Sequence, residues 1–166
     1  MTTYPKETIA DLVEGRLPWR DLKTMMSSFK DPDRFVKFIQ VLQDKLDWED
    51  KILLPLGPQL YIVQTADGAR RTRCGTCAHD FGDAAENWKW GAHIYVRDTV
   101  EAMQEIYPPG MHADPEWMEL REFICPGCQT LLEIDPVPPG YPLVEDFRPD
   151  IDAFYRDWLG IEPGSI

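Results

Sequence analysis

Two pairs of cysteines, Cys74-Gly75-Thr76-Cys77 and Cys125-Pro126-Gly127-Cys128, constrain this chain more than any other feature, and they use all 4 of its cysteines. Two intervening residues let both sulfurs of a tight turn face one ion, and two such turns brought together complete a tetrahedron. Gly75 and Gly127 suit the bent backbone of such turns, where amide groups donate to thiolate sulfur. The closed four-sulfur set favours Zn²⁺ in a structural role, because no position is left for a water. Two alternatives remain open on the residues alone. Four thiolates hold a rubredoxin-like iron as well as zinc. A disulfide or redox pair is the other, although redox Cys-x-x-Cys motifs normally occur singly in a thioredoxin-like context that is missing here. The 47 residues from 78 to 124 exceed the usual spacing between ribbon knuckles, so they must form an inserted substructure.

The pattern around the cysteines gives an α+β chain. Lys6 to Val13 reads as a short amphipathic helix with Gly15 as its stop. Asp31-Pro32 reads as an N-cap followed by proline at the first helical position. Phe35, Phe38, Ile39, Leu42 and Leu46 then recur at helical spacing, predicting a helix over 32–48. Pro55, Gly57 and Pro58 break that texture, and residues 59–63 have strand composition. Asp67-Gly68 signals a hairpin whose return strand, 69–73, runs into Cys74. Residues 118–124 and 131–134 flank the second pair as strands. Between the pairs, 93–96 reads as a strand and 99–106 as a short helix ended by Pro108-Pro109-Gly110. After Ile134 the chain turns proline-rich and extended, then Asp150 caps a terminal helix carrying Phe154, Tyr155, Trp158 and Leu159. That aromatic end suits docking, either on the chain's own core or on another subunit. The expected organisation is a helical segment (1–52), a zinc-ribbon-like β core (53–135) with an insertion at 80–117, and a Pro-rich acidic arm (136–166) with a short terminal helix.

Charge narrows the partners. The formal net charge is −12. It is concentrated at the C-terminal end, where residues 101–166 carry 3 basic against 14 acidic side chains. Nucleic-acid binding needs Lys and Arg to displace phosphate counterions, so a nucleic-acid-binding zinc ribbon is disfavoured, with only Arg70, Arg71 and Arg73 in its support. Repulsion from anionic lipid disfavours a membrane surface too. The N-terminus shows no basic region followed by an apolar run, so the expected compartment is the cytoplasm, where thiols stay reduced.

No catalytic constellation stands out. There is no phosphate-cradling loop, no Gly-x-Ser-x-Gly elbow and no His-Glu-x-x-His. His79 follows Cys77 by two residues and is a candidate to support or substitute a metal ligand; His93 and His112 have no marked partner. Arg70, Arg71 and Arg73 are candidates to offset the −2 charge of a zinc tetrathiolate.

With the cysteine pairs, the helical start and the acidic Pro/Trp-rich end laid out, the chain resembles the small, gamma subunit of bacterial acetone carboxylase. It is more distantly similar to small subunits of related ketone carboxylases. The resemblance covers essentially the full chain, including Leu17-Pro18-Trp19, both knuckles and Glu133-Ile134-Asp135-Pro136. It implies a cytoplasmic heterohexamer with two copies each of alpha, beta and gamma subunits. That assembly would make acetoacetate from acetone and bicarbonate while ATP is hydrolysed to AMP and two phosphates. The resemblance also implies that ATP and Mn²⁺ belong to the large subunits, that Cys74, Cys77, Cys125 and Cys128 ligate zinc here, and that this chain carries no catalytic residue.

Overall fold

The structure, a computed structural model, describes residues 3–29 and 31–166. Its elements run α1 (Lys6–Val13), α2 (Trp19–Ser27), α3 (Arg34–Gln43), β1 (Lys51–Gly57), β2 (Leu60–Gln64), β3 (Arg70–Cys74), β4 (Asp80–Asp83), a 3-10 turn (Trp88–Gly91), β5 (His93–Arg97), α4 (Val100–Gln104), β6 (Glu119–Ile124), β7 (Leu131–Val137) and α5 (Ile151–Ala153), the last continued by a π-type stretch over Phe154–Leu159. The strands form a four-stranded sheet, β1-β2-β3-β4, and a three-stranded sheet, β5-β6-β7. The mixed helix and sheet content, with the cysteines in two pairs, is the zinc-ribbon-like α+β fold that the sequence implies.

The chain divides into two compact units. One comprises Met1–Leu54, Val63–Gly68 and Pro149–Ile166; the other comprises Pro55–Ile62 and Ala69–Arg148.

In the first unit, α1 and α3 present Ile9 and Val41 to a small core completed by Met25 of α2. α1 lies where the sequence places it, and Gly15 takes the left-handed conformation (φ 69°) that ends it. α3 is shorter at both ends than the helix expected over 32–48. Asp31 does not cap it through its side chain; its carboxylate instead accepts from Arg34 Nε at 2.6 Å. At the other end Gln43 turns the chain back, its Nε2 donating to Asp50 O (3.1 Å) and its Oε1 accepting from Ile52 N (2.9 Å). That clamp starts β1, a strand hidden in the sequence by Pro55 and Gly57. The terminal aromatic segment folds onto its own chain: Ile151 and Tyr155 are buried, Phe154 meets Phe35 edge-on at 4.8 Å, and Tyr155 Oη donates to Leu53 O at 2.8 Å. Asp150 caps it, accepting from Ala153 N at 2.9 Å.

In the second unit the core is built from Leu60, Trp88, Phe123 and Leu132, together with Cys74 and Cys125. β5, β6 and β7 form an antiparallel meander with pairs Ile94↔Phe123↔Glu133 and Val96↔Arg121↔Asp135. The inserted segment therefore supplies a third strand to the hairpin that carries the second cysteine pair. Its helix, α4, is shorter than the span 99–106, with Thr99 Oγ1 accepting from Ala102 N as its cap. Arg97 ties α4 to the sheet: Nε donates to Glu122 Oε1 (2.7 Å), and Nη1 donates to Glu105 Oε2 and Ala102 O, both 2.7 Å. Beyond β7, residues 138–149 carry no regular structure apart from one turn.

Candidate metal centre

Each cysteine pair is the turn of a β-hairpin. β3 ends at Cys74 and pairs with β4 through Arg73↔Asp80; β6 ends just before Cys125 and pairs with β7 through Ile124↔Leu131. The two turns are closed by the same backbone bonds. Ala78 N donates to Cys74 O at 3.0 Å and Gln129 N to Cys125 O at 2.9 Å. Cys74 N donates to His79 O at 3.0 Å and Cys125 N to Thr130 O at 2.9 Å. The residue after each second cysteine, Ala78 or Gln129, is left-handed at φ 60° and 61°. Local sequence thus builds one knuckle twice.

The four sulfurs converge, all within 4.8 Å of one another. Cys74 Sγ lies 3.7 Å from Cys128 Sγ, and Cys77 Sγ 3.6 Å from Cys125 Sγ. A tetrahedral ion with metal–sulfur bonds of about 2.3 Å needs sulfurs roughly 3.8 Å apart, so the set fits such an ion. The separations are far longer than a disulfide of about 2.05 Å. Thr76 N–H points at Cys74 Sγ from 3.4 Å, the amide donation that a thiolate requires.

Close packing keeps this cradle tight. A Cβ on Gly127 would come within 3.0 Å of Cys77 Sγ and 3.2 Å of His79 Cβ. A Cβ on Gly75 would press the Tyr61 ring at 2.8 Å. A side chain at residue 75 would force the Tyr61 ring to shift, and one at residue 127 would require the Cys77 sulfur to give way slightly.

The thiols are electrostatically unequal. Burial, reinforced by the neighbouring sulfurs, pushes the Cys77 thiol up to about 12. Burial also raises Cys74. The Thr130 hydroxyl, 3.1 Å from Cys128 Sγ, together with the Thr130 backbone, pulls Cys128 down to about 6. A bound cation reverses the upward shifts, because it favours the thiolate at every position.

His79 stays outside the set of converging donors. Its ring meets Phe81 edge-on at 5.0 Å, opening a chain of aromatic contacts that runs Phe81–Trp88 (5.7 Å) and Trp88–Phe123 (5.8 Å) from the first knuckle to β6. Arg71 and Arg73 face Asp80 at 3.0 and 3.9 Å, and Arg73 Nη1 donates to Ala78 O. Despite the burial opposing it, Asp80 is held below the ordinary carboxylate range by those arginines and by Gly82 N–H. His112 Nδ1 lies 2.8 Å from Ala113 O in a loop, and His93 sits exposed at the start of β5.

One cluster escapes the sequence reading. Lys89, its side chain only 1% exposed, donates to Asp135 Oδ2 (2.7 Å), to Glu133 Oε1 (2.8 Å) and to Asp146, while its Nζ lies 4.9 Å over the Phe123 ring. Its partners are spread over residues 133–146, so no local motif announces them. The alternating acids of β7 were the one signal available. The ammonium is the resident cation of this acidic group, and despite burial its carboxylates push the Lys89 pKa upward.

These two hairpins and their four converging thiols define a zinc-ribbon-like protein with a candidate tetrathiolate metal site. Comparison with known proteins narrows that class. The family described as acetone carboxylase gamma subunit matches residues 46–159. The acetone carboxylase gamma subunit of Xanthobacter autotrophicus is 46% identical over 158 residues, 95% of this chain and 94% of that protein. The acetophenone carboxylase beta subunit of Aromatoleum aromaticum is 31% identical over 86 residues, 48% of this chain and 64% of that protein. The chain belongs to the acetone carboxylase gamma subunit family.

Proposed function

We propose that this chain is the zinc-binding structural subunit of an ATP-dependent acetone carboxylase, with Cys74, Cys77, Cys125 and Cys128 as the metal ligands. The observation that carries the reading is the convergence of four thiols from two matching knuckles in a chain of this family. A closed thiolate set supplies structural cross-linking when loaded. The residues themselves then fix the geometry: the knuckle amides hold the sulfurs, Gly75 and Gly127 admit close packing, and the aromatic chain from His79 to Phe123 links the two hairpins.

The reaction of such an assembly is the carboxylation of acetone by bicarbonate to acetoacetate, with ATP hydrolysed to AMP and two phosphates. The chemistry, ATP and Mn²⁺ lie in the large subunits, and this chain contributes surface and rigidity to a cytoplasmic heterohexamer with two copies of each of three subunits. No helix among the described residues is long and apolar enough to cross a membrane. Copurification from cells grown on acetone tests the reading. A complex with the alpha and beta subunits containing one zinc per gamma chain supports it; recovery of the native chain as a lone monomer sinks it. A visible thiolate-to-iron charge-transfer band would replace zinc with iron.

A further inference from the structure

The three-stranded sheet of the second unit has one edge without protection. β7, on one side, carries Pro136 and a register shift, and the chain beyond it is tied back where Tyr141 O accepts from Arg121 Nη2 at 2.7 Å. In the other sheet, edge strand β1 contains Pro55, while β4 is short, begins and ends in aspartate and pairs through a register shift. β5 has none of these devices. It pairs with β6 at every position from His93↔Ile124 to Arg97↔Leu120, and no hydrogen bond joins its outer backbone to another element among the described residues. Ile94 is 41% and Tyr95 40% exposed although they point to opposite faces, so the edge itself is open. Its one formal charge, Arg97, is buried and turned onto Glu122, Glu105 and Ala102 O, so it does not repel an incoming strand.

Register sorts the side chains of one face into rows that cross the sheet. His93, Ile124 and Leu131 form the first, Tyr95, Glu122 and Ile134 the second, and Arg97, Leu120 and Pro136 the third. α4 lies over the third row: Arg97 reaches Ala102 O and Glu105, and Met103 and Leu120 are buried. The first row has no such cover, and His93 and Leu131 are exposed.

We propose that β5 pairs antiparallel with β5 of a second copy of this chain, about a two-fold axis at Tyr95, so that the two three-stranded sheets become one continuous sheet. The strand is self-complementary in that register. Ile94 stands opposite Val96 of the second copy on one face, and Tyr95 stands opposite its own copy on the other. The exposed acids Asp98 and Glu101 of the two chains fall at opposite ends of the pairing, where Asp98 faces Ala92 of the second copy. The same reversal continues the third row of each chain into the first row of the other, which brings each α4 beside the row its partner leaves uncovered. These features select a copy over an unrelated strand: apolar side chains meet, the acids stay apart, and each chain brings a helix beside the other's open row.

The test uses the full-length zinc-loaded chain by itself, so its failure leaves the subunit reading standing. Sedimentation over rising concentration should show a monomer–dimer equilibrium. Ile94→Lys places on the edge a charge of the kind that natural edges carry, and should weaken the dimer about tenfold or more with circular dichroism and zinc content unchanged. Paired residues on neighbouring strands have Cβ atoms about 5 Å apart, so a short bis-maleimide should join Tyr95→Cys chains, with the wild type as the blank for its own sulfurs. Ile134→Cys lies in the same row on the far strand, roughly 24 Å from its copy at a strand spacing of about 4.8 Å, and should not be joined. A wild-type chain that stays monomeric at every concentration overturns the proposal. So does a dimer that folded Ile94→Lys leaves intact, or one joined through residue 134 and not through residue 95. Protection of the β5 amides from hydrogen exchange only after larger subunits are added, with no dimer of the chain alone, overturns it in favour of a strand from those subunits.

Discussion

Cys74 Sγ and Cys128 Sγ lie 3.7 Å apart although 54 positions separate them in sequence. Contact at that range joins the hairpin before the insertion to the hairpin after it, so whatever occupies the four-sulfur site holds both ends of the inserted segment. The first predictions follow from that junction.

Gly127→Ala places a methyl group 3.0 Å from Cys77 Sγ, against a backbone that the Cys125–Gln129 turn fixes. The sulfur must move off its tetrahedral position. Zinc affinity, measured by competition with a chromophoric chelator, should fall by about tenfold, the lower end of what disturbing a ligand's surroundings does.

Metal loading should release protons. Cys77, pushed up to about 12, is a thiol at neutral pH in the metal-free chain, whereas Cys128, pulled down to about 6, is largely thiolate. Affinity therefore falls as pH falls, since protons compete with the ion for the sulfurs. Thr130→Val removes the hydroxyl at 3.1 Å that favours the Cys128 thiolate. Its zinc should be lost at a higher pH than in the wild type; an unchanged release curve would show that the hydroxyl is unimportant.

Lys89→Met leaves Glu133, Asp135 and Asp146 around an uncharged side chain. Breaking a fully buried pair costs about 3–5 kcal/mol, and partial solvation of Glu133 and Asp146 reduces this to about 2 kcal/mol, readable as a shift in the urea midpoint. The sign with pH is definite. Folding raises the Lys89 pKa, so its contribution is fully present below the unfolded value of about 10.4 and is lost as pH climbs through the folded one. The gap between wild type and Lys89→Met should then narrow in strong alkali.

Tyr155→Phe removes the buried donor to Leu53 O while keeping the ring against Phe35. A loss of about 1 kcal/mol in unfolding free energy is expected.

Much of this was legible in sequence because it is local. The knuckles, the Gly15 stop and the Asp150 cap each depend on residues a few positions apart, and each formed as its residues dictate. What stayed hidden depends on distance in sequence or on tertiary override. β1 carries Pro55 and Gly57, which read as breakers, yet Gln43 fixes its start and Ile52 and Leu53 bury its first half. α2 does carry a helical signal, with Trp19, Leu22, Met25 and Met26 at spacings of three and four behind Pro18, but only Met25 is buried, so its periodicity does not reveal how little of it faces the core. Asp31 looked like a helix cap and is instead Arg34's partner, because the helix begins later than Pro32 suggests. The Lys89 cluster joins Glu133 and Asp135, which strand alternation puts on one face of β7, to Asp146 and to Lys89 itself, which no spacing rule connects to them.

The central claim is that a metal-clamped pair of hairpins makes this chain a subunit. Native mass spectrometry of the assembly isolated from acetone-grown cells, with metal analysis of the same sample, tests it most directly. The wild type should give a complex holding this chain with larger subunits and one zinc per copy. In Cys125→Ser, zinc occupancy and assembly should fall together. Full assembly of the metal-free Cys125→Ser variant would contradict it.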